Sequence, residues 1–109
     1  MRHHAIIVTS YCSDCASKAH EKAVEIFSAR QVTEILPEAI NGYQTFFIGP
    51  DGSKEGWADS NKGNDRRDTF IQWLDEQRFS DNSFAYDWAE IQYGDDEFDN
   101  RMTRHDAQE

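Results

Sequence analysis

Two cysteines in the run Cys12-Ser13-Asp14-Cys15 are the residues of this 109-residue chain whose types and spacing come nearest to a recognisable chemistry. In a C-x-x-C that opens a helix, the helix N-terminus can hold the first thiol as a thiolate and the second can resolve a mixed disulfide. Thiol–disulfide exchange would use Cys12 as the nucleophile and Cys15 as the resolving thiol. Asp14 opposes this, because a neighbouring negative charge raises a thiol pKa. The same pair with two of His3, His4 and His20 is a donor set of zinc type. No second cysteine pair and no H-x-x-x-H follows, so no metal is expected. The residues favour a plainer reading: two small, half-buried side chains at a tight strand–helix turn.

The other reactive types are less well arranged. Asp95-Asp96-Glu97 with Asp99 could bind a cation or act as acid and base, but catalytic carboxylates need burial and fixed separation. These read as consecutive residues of a solvated segment, and no D-x-D-x-D-G calcium loop is present. There is no G-x-S-x-G elbow and no glycine-rich phosphate loop. His20 borders an apolar helix stripe and His105 falls near the C-terminus. The expectation is a protein that is not an enzyme and carries no cofactor.

The elements that must position these residues follow from pattern. Ala5–Tyr11 is apolar and β-branched, the signature of a central strand. Ser13 or Asp14 can cap a helix whose stripe is Ala16, Ala19, Ala23, Ile26 and Phe27. Val32–Leu36 predicts a short strand, and Asn41-Gly42 a reversal into a third strand at Tyr43–Ile48. Lys54–Trp57 could add a small strand, and Ala58–Asn64 reads as loop. Asn64 or Asp65 caps a second helix that buries Phe70, Ile71, Trp73 and Leu74. A last strand covers Phe84–Tyr93. The order β-α-β-β-α-β predicts a ferredoxin-like α+β sandwich: a mainly antiparallel four-stranded sheet with two helices on one face. Residues 1–93 form the single domain, and 94–109 an acidic, solvated tail.

Charge is distributed unevenly. Residues 1–79 carry 12 acidic against 9 basic side chains, whereas residues 80–109 carry 9 against 2, most of the net −10. Such a chain repels polyanions, so nucleic acid is excluded as a direct ligand. No apolar run reaches membrane-spanning length, and Met1-Arg2-His3-His4 is not a secretory signal. A cytoplasmic location with reduced thiols is the expectation. The acidic region is also aromatic. Tyr86, Trp88 and Tyr93 could anchor a partner whose Arg and Lys meet Asp87, Glu90, Asp95, Asp96 and Glu97. The partner expected is the basic surface of a host protein, and an exposed strand edge could also support a homodimer.

Two resemblances bear on function. Ala5-Ile6-Ile7-Val8-Thr9-Ser10-Tyr11, Gly42-Tyr43-Gln44-Thr45-Phe46-Phe47 and Asp87-Trp88-Ala89-Glu90-Ile91 occur in an order similar to small phage anti-CRISPR proteins that inhibit type II effector nucleases. That resemblance implies a non-catalytic phage accessory protein that blocks a basic nucleic-acid channel, its carboxylates standing in for phosphates. The placement of Cys12 and Cys15, with Gly42 to Gly52 as a later strand and turn, resembles glutaredoxins and thioredoxins, and implies a thiol oxidoreductase. That family has a cis-proline where this chain has Gln44, and only 28 residues separate Gln44 from Cys15.

Overall fold

Alternation along His3–Ser10 builds the central strand, β1. Ile6, Val8 and Ser10 are buried on one face, while Ala5, Ile7 and Thr9 lie on the other and are only partly covered. In the computed structural model, which describes residues 2–38, 40–53, 57–94 and 99–106, six further elements follow. They are α1 (Ser13–Phe27), β2 (Leu36–Pro37), β3 (Gln44–Ile48), α2 (Ala58–Glu76), β4 (Asp87–Tyr93) and β5 (Arg101–His105). The sheet order is β2-β3-β1-β4-β5, and every neighbouring pair is antiparallel. The first four strands with α1 and α2 make the ferredoxin-like α+β sandwich, and β5 extends the β4 edge.

The core lies between the helices and one sheet face. Ile6 and Val8 meet Phe46 and Ile48 of β3, Ala19, Ala23 and Phe27 of α1, and Phe70, Ile71 and Leu74 of α2. The alanines of α1 bring its backbone close to the sheet. Phe27 and Phe70 then close the layer edge to face, with ring centroids 5.7 Å apart. Each fully buried ring or branched aliphatic contributes roughly 1.5–3 kcal/mol of transfer free energy.

The second strand, the second helix and the last expected strand begin elsewhere than the sequence predicts. The second strand is Leu36–Pro37 rather than Val32–Leu36. Val32 makes only an isolated bridge to Ile48, because the Thr33 hydroxyl takes the Phe47 N–H (2.9 Å) and interrupts the ladder. Helix α2 starts at Ala58, not at Asn64 or Asp65, with Trp57 as its N-cap. Ser60 and Gly63 are buried in that first stretch, so packing overrides the weak helix propensity of Ser, Asn and Gly. Of the expected Lys54–Trp57 strand, Lys54, Glu55 and Gly56 lie outside the described residues. Strand β4 starts at Asp87, and Phe84 forms an isolated bridge with Arg78.

The expected tail is the largest correction. Residues 101–105 form β5, paired to β4 through Glu90 with Arg104 and Ile91 with Met102, across a bulge at Glu90/Ile91. Asp106 extends the pairing: its Oδ2 accepts the Trp88 N–H at 2.9 Å and its own N–H donates to the Trp88 carbonyl at 3.1 Å.

Candidate functional site

The proposed acidic–aromatic surface divides between two faces of β4. Tyr86, Trp88 and Glu90 turn toward the helices and are 3%, 5% and 4% exposed. They are therefore unavailable to a partner. Trp88 donates its indole N–H to Asp75 Oδ1 of α2 at 2.9 Å, and Tyr86 packs against Trp73. The parity is fixed by β1, since Val8 stands opposite Trp88 and Ile6 opposite Glu90 on the core face. Asp87 and Tyr93 are exposed on the opposite face. Asp95, Asp96 and Glu97 lie outside the described residues.

Glu90 is the centre of an internal ion cluster. Arg104 donates to it through Nε (2.8 Å) and Nη2 (2.7 Å), Arg67 through Nε (3.0 Å), and the Thr103 hydroxyl at 2.8 Å. Arg104 Nη1 also reaches Asp68 Oδ1 at 2.8 Å, and Arg67 binds the Asn64 side chain. Burial pushes the Glu90 carboxyl up, but the bonds from Arg104 and Thr103 and the charges of Arg104 and Arg67 bring it below its ordinary value. Two arginines thus face two carboxylates, which keeps a buried charge compensated.

The cysteine pair is organised by the junction of β1 with α1. Cys12, not Ser13 or Asp14, is the N-cap, and its sulfur accepts the Cys15 backbone N–H at 3.3 Å. Ser10 anchors the turn, because its buried hydroxyl donates to the Ala85 carbonyl (3.0 Å) and accepts the Cys12 N–H (3.3 Å). The Tyr86 hydroxyl donates to the Cys15 carbonyl at 2.7 Å. Hydrogen bonding from Cys15, its backbone N–H at 3.3 Å included, lowers the Cys12 pKa. The Asp14 charge acts in the opposing direction, but it is the smallest effect and the Asp14 backbone N–H outweighs it, so the expected opposition to the thiolate is overcome. Burial pushes Cys15 up to about 11. His20 is turned away, with Nε2 donating to the Thr33 carbonyl at 2.9 Å. His3 packs on Tyr93, at the other end of β1 from the cysteines. Among the described residues no group of three or more His, Cys, Asp or Glu could hold a metal.

The feature that the sequence reading missed is the sheet face away from the helices. Register aligns its residues in rows: Phe47, Ile7, Ala89 and His105; Ala5, Ile91 and Met102; Thr45, Thr9 and Asp87. None of these is fully buried, and Met102 is 57% exposed. Tyr93 and Leu36 extend the exposed apolar area toward opposite edges. Within this face a groove of about 480 Å³ runs between β1, β4 and β5, lined by Ile7, Thr9, Asp87, Ala89, Met102 and His105. The consecutive apolar residues Ile6-Ile7-Val8 were the available signal, because a strand covered on one face alternates.

Among the described residues no helix is long and apolar enough to cross a membrane. Comparison with protein-family models, curated proteins and solved structures finds no match.

Proposed function

We propose that this chain is a protein-binding module of the inhibitor type, which docks a basic partner on the open face of its sheet. The observation that carries the reading is the apolar groove between Ile7, Ala89 and Met102 on a face that neither helix covers. Uncovered apolar surface rimmed by polar groups is the form of a protein-docking site. The chain's net charge of −10 selects for a partner of opposite sign and opposes a second copy of itself. Asp87 at the groove margin supplies a contact for Lys or Arg, while Phe47, Ile91 and Met102 supply apolar area.

A partner whose basic surface normally holds nucleic acid would be inhibited by occlusion. The likeness to anti-CRISPR proteins makes a guide-loaded type II effector nuclease the first probe. Target-DNA cleavage is expected to fall in proportion to added chain and to recover as salt is raised, since screening weakens steering between opposite charges. Full cleavage at molar excess would remove that nuclease as the partner. Stable capture of acidic proteins alone would contradict the basic-partner reading.

A further inference from the structure

The cysteine pair forms a second locus, at the β1–α1 junction. We propose that Cys12 and Cys15 are a reversible dithiol–disulfide couple that exchanges with peptide or low-molecular-weight disulfides. Three observations converge on it. Cys12 is the N-cap of α1 and Cys15 lies in its first turn, the C-x-x-C placement at a helix N-terminus that favours a thiolate on the first sulfur and a disulfide to the second. The two sulfurs are inequivalent, Cys12 accepting the Cys15 N–H at 3.3 Å while Cys15 packs against the core. The turn is fixed from outside by Ser10 on Ala85 and Tyr86 on Cys15, so the cysteine backbone is preorganised.

The surroundings suit a disulfide carried on a peptide. Tyr11, 61% exposed, immediately precedes Cys12 and contacts Tyr43 and Phe79 edge to face or tilted. A shallow groove of about 140 Å³ between Thr9, Tyr11, Tyr43, Phe84 and Asp87 adjoins this end of β1. The depressed Cys12 pKa and the raised Cys15 pKa fit the order nucleophile, then resolving thiol.

The exchange balances without another reactant. The Cys12 thiolate attacks one sulfur of a disulfide RSSR, forming the Cys12–SR bond as the S–S bond breaks and releasing RS⁻, which takes up a proton. Cys15 then loses its proton and attacks the Cys12 sulfur. The Cys12–Cys15 bond forms and the second RS⁻ leaves. The protein dithiol has been oxidised by two electrons and RSSR reduced to two thiols.

Full-length chain equilibrated with oxidised and reduced glutathione, acid-quenched and mapped by mass spectrometry, tests this. Wild type is expected to populate the reduced form and the Cys12–Cys15 disulfide, with little glutathione adduct. Cys15→Ser is expected to accumulate the adduct on Cys12, and Cys12→Ser to accumulate far less on Cys15. An adduct on wild type equal to that on Cys15→Ser, or no internal disulfide at any ratio, overturns the proposal. Should a variant fail to fold, native wild type still decides. Iodoacetamide should label Cys12 about tenfold faster than Cys15, and equal rates overturn the assignment.

Discussion

Arg104 grips Glu90 through two nitrogens at 2.8 and 2.7 Å, and this pair ties the fifth strand to the sheet where a tail was expected. The bond joins β5 to β4 on the helix side, while Met102, next to Ile91, faces the open side. One strand therefore supplies a buried ion partner and part of the candidate docking surface.

Arg104→Ala should lower stability by about 2–3 kcal/mol, measured by urea unfolding. The loss falls short of a fully broken buried pair because Arg67 and Thr103 stay on Glu90 and Arg104 is partly solvated. Arg104→Lys should recover less than half, since an ammonium cannot reproduce the two-nitrogen grip.

Glu90 also sets a direction for acid sensitivity. Its folded pKa lies below the ordinary value of about 4.5. On acidification the unfolded chain therefore binds this proton first, so stability falls with falling pH. The contribution is intact above about pH 4.5 and is lost as pH drops through the folded value. Glu90→Gln should be less stable than wild type at pH 7, with the gap narrowing toward pH 3 in thermal melts.

Gly63 gives a test of packing against propensity. A β-carbon there would stand 2.5 Å from Asp51 Oδ2, whose carboxylate is held through Oδ1 by the Ser53 N–H and hydroxyl. Gly63→Ala should lower the melting temperature although alanine gains about 1 kcal/mol of helix propensity. In an Asp51→Ala background the same change should raise it, and additive effects in this double-mutant cycle would contradict the contact.

These cases show what the sequence could convey. The order of the first six elements was legible because Ile6 and Val8, the stripe of Ala16, Ala19 and Ala23, and Phe70 with Leu74 carry strong periodicity. Strand β5 was not, because Arg101-Met102-Thr103-Arg104-His105 acquires its alternation only when Arg104 finds Glu90. The start of α2 was hidden for a similar reason: Gly63 looks like a breaker until Asp51 packs against it. At the candidate site, what was missing was which face of β4 the helices cover. Tyr86, Trp88 and Glu90 resemble a binding strip by composition, but their register with Val8 and Ile6 assigns them to the core. Cys12 as its own helix cap was equally unreadable, since Ser13 and Asp14 are the better capping types.

The central claim is that the open sheet face does the binding, and quantitative affinity capture from a bacterial lysate with three immobilised chains tests it most directly. The chains are wild type, an Ile91→Lys/Met102→Lys double variant of the open face, and Glu21→Lys on exposed helix α1, each shown to be folded by circular dichroism. Wild type and Glu21→Lys should retain the same basic protein, and the double variant should lose at least about tenfold of it, the effect of roughly 1.4 kcal/mol. Equal capture by all three would contradict the account.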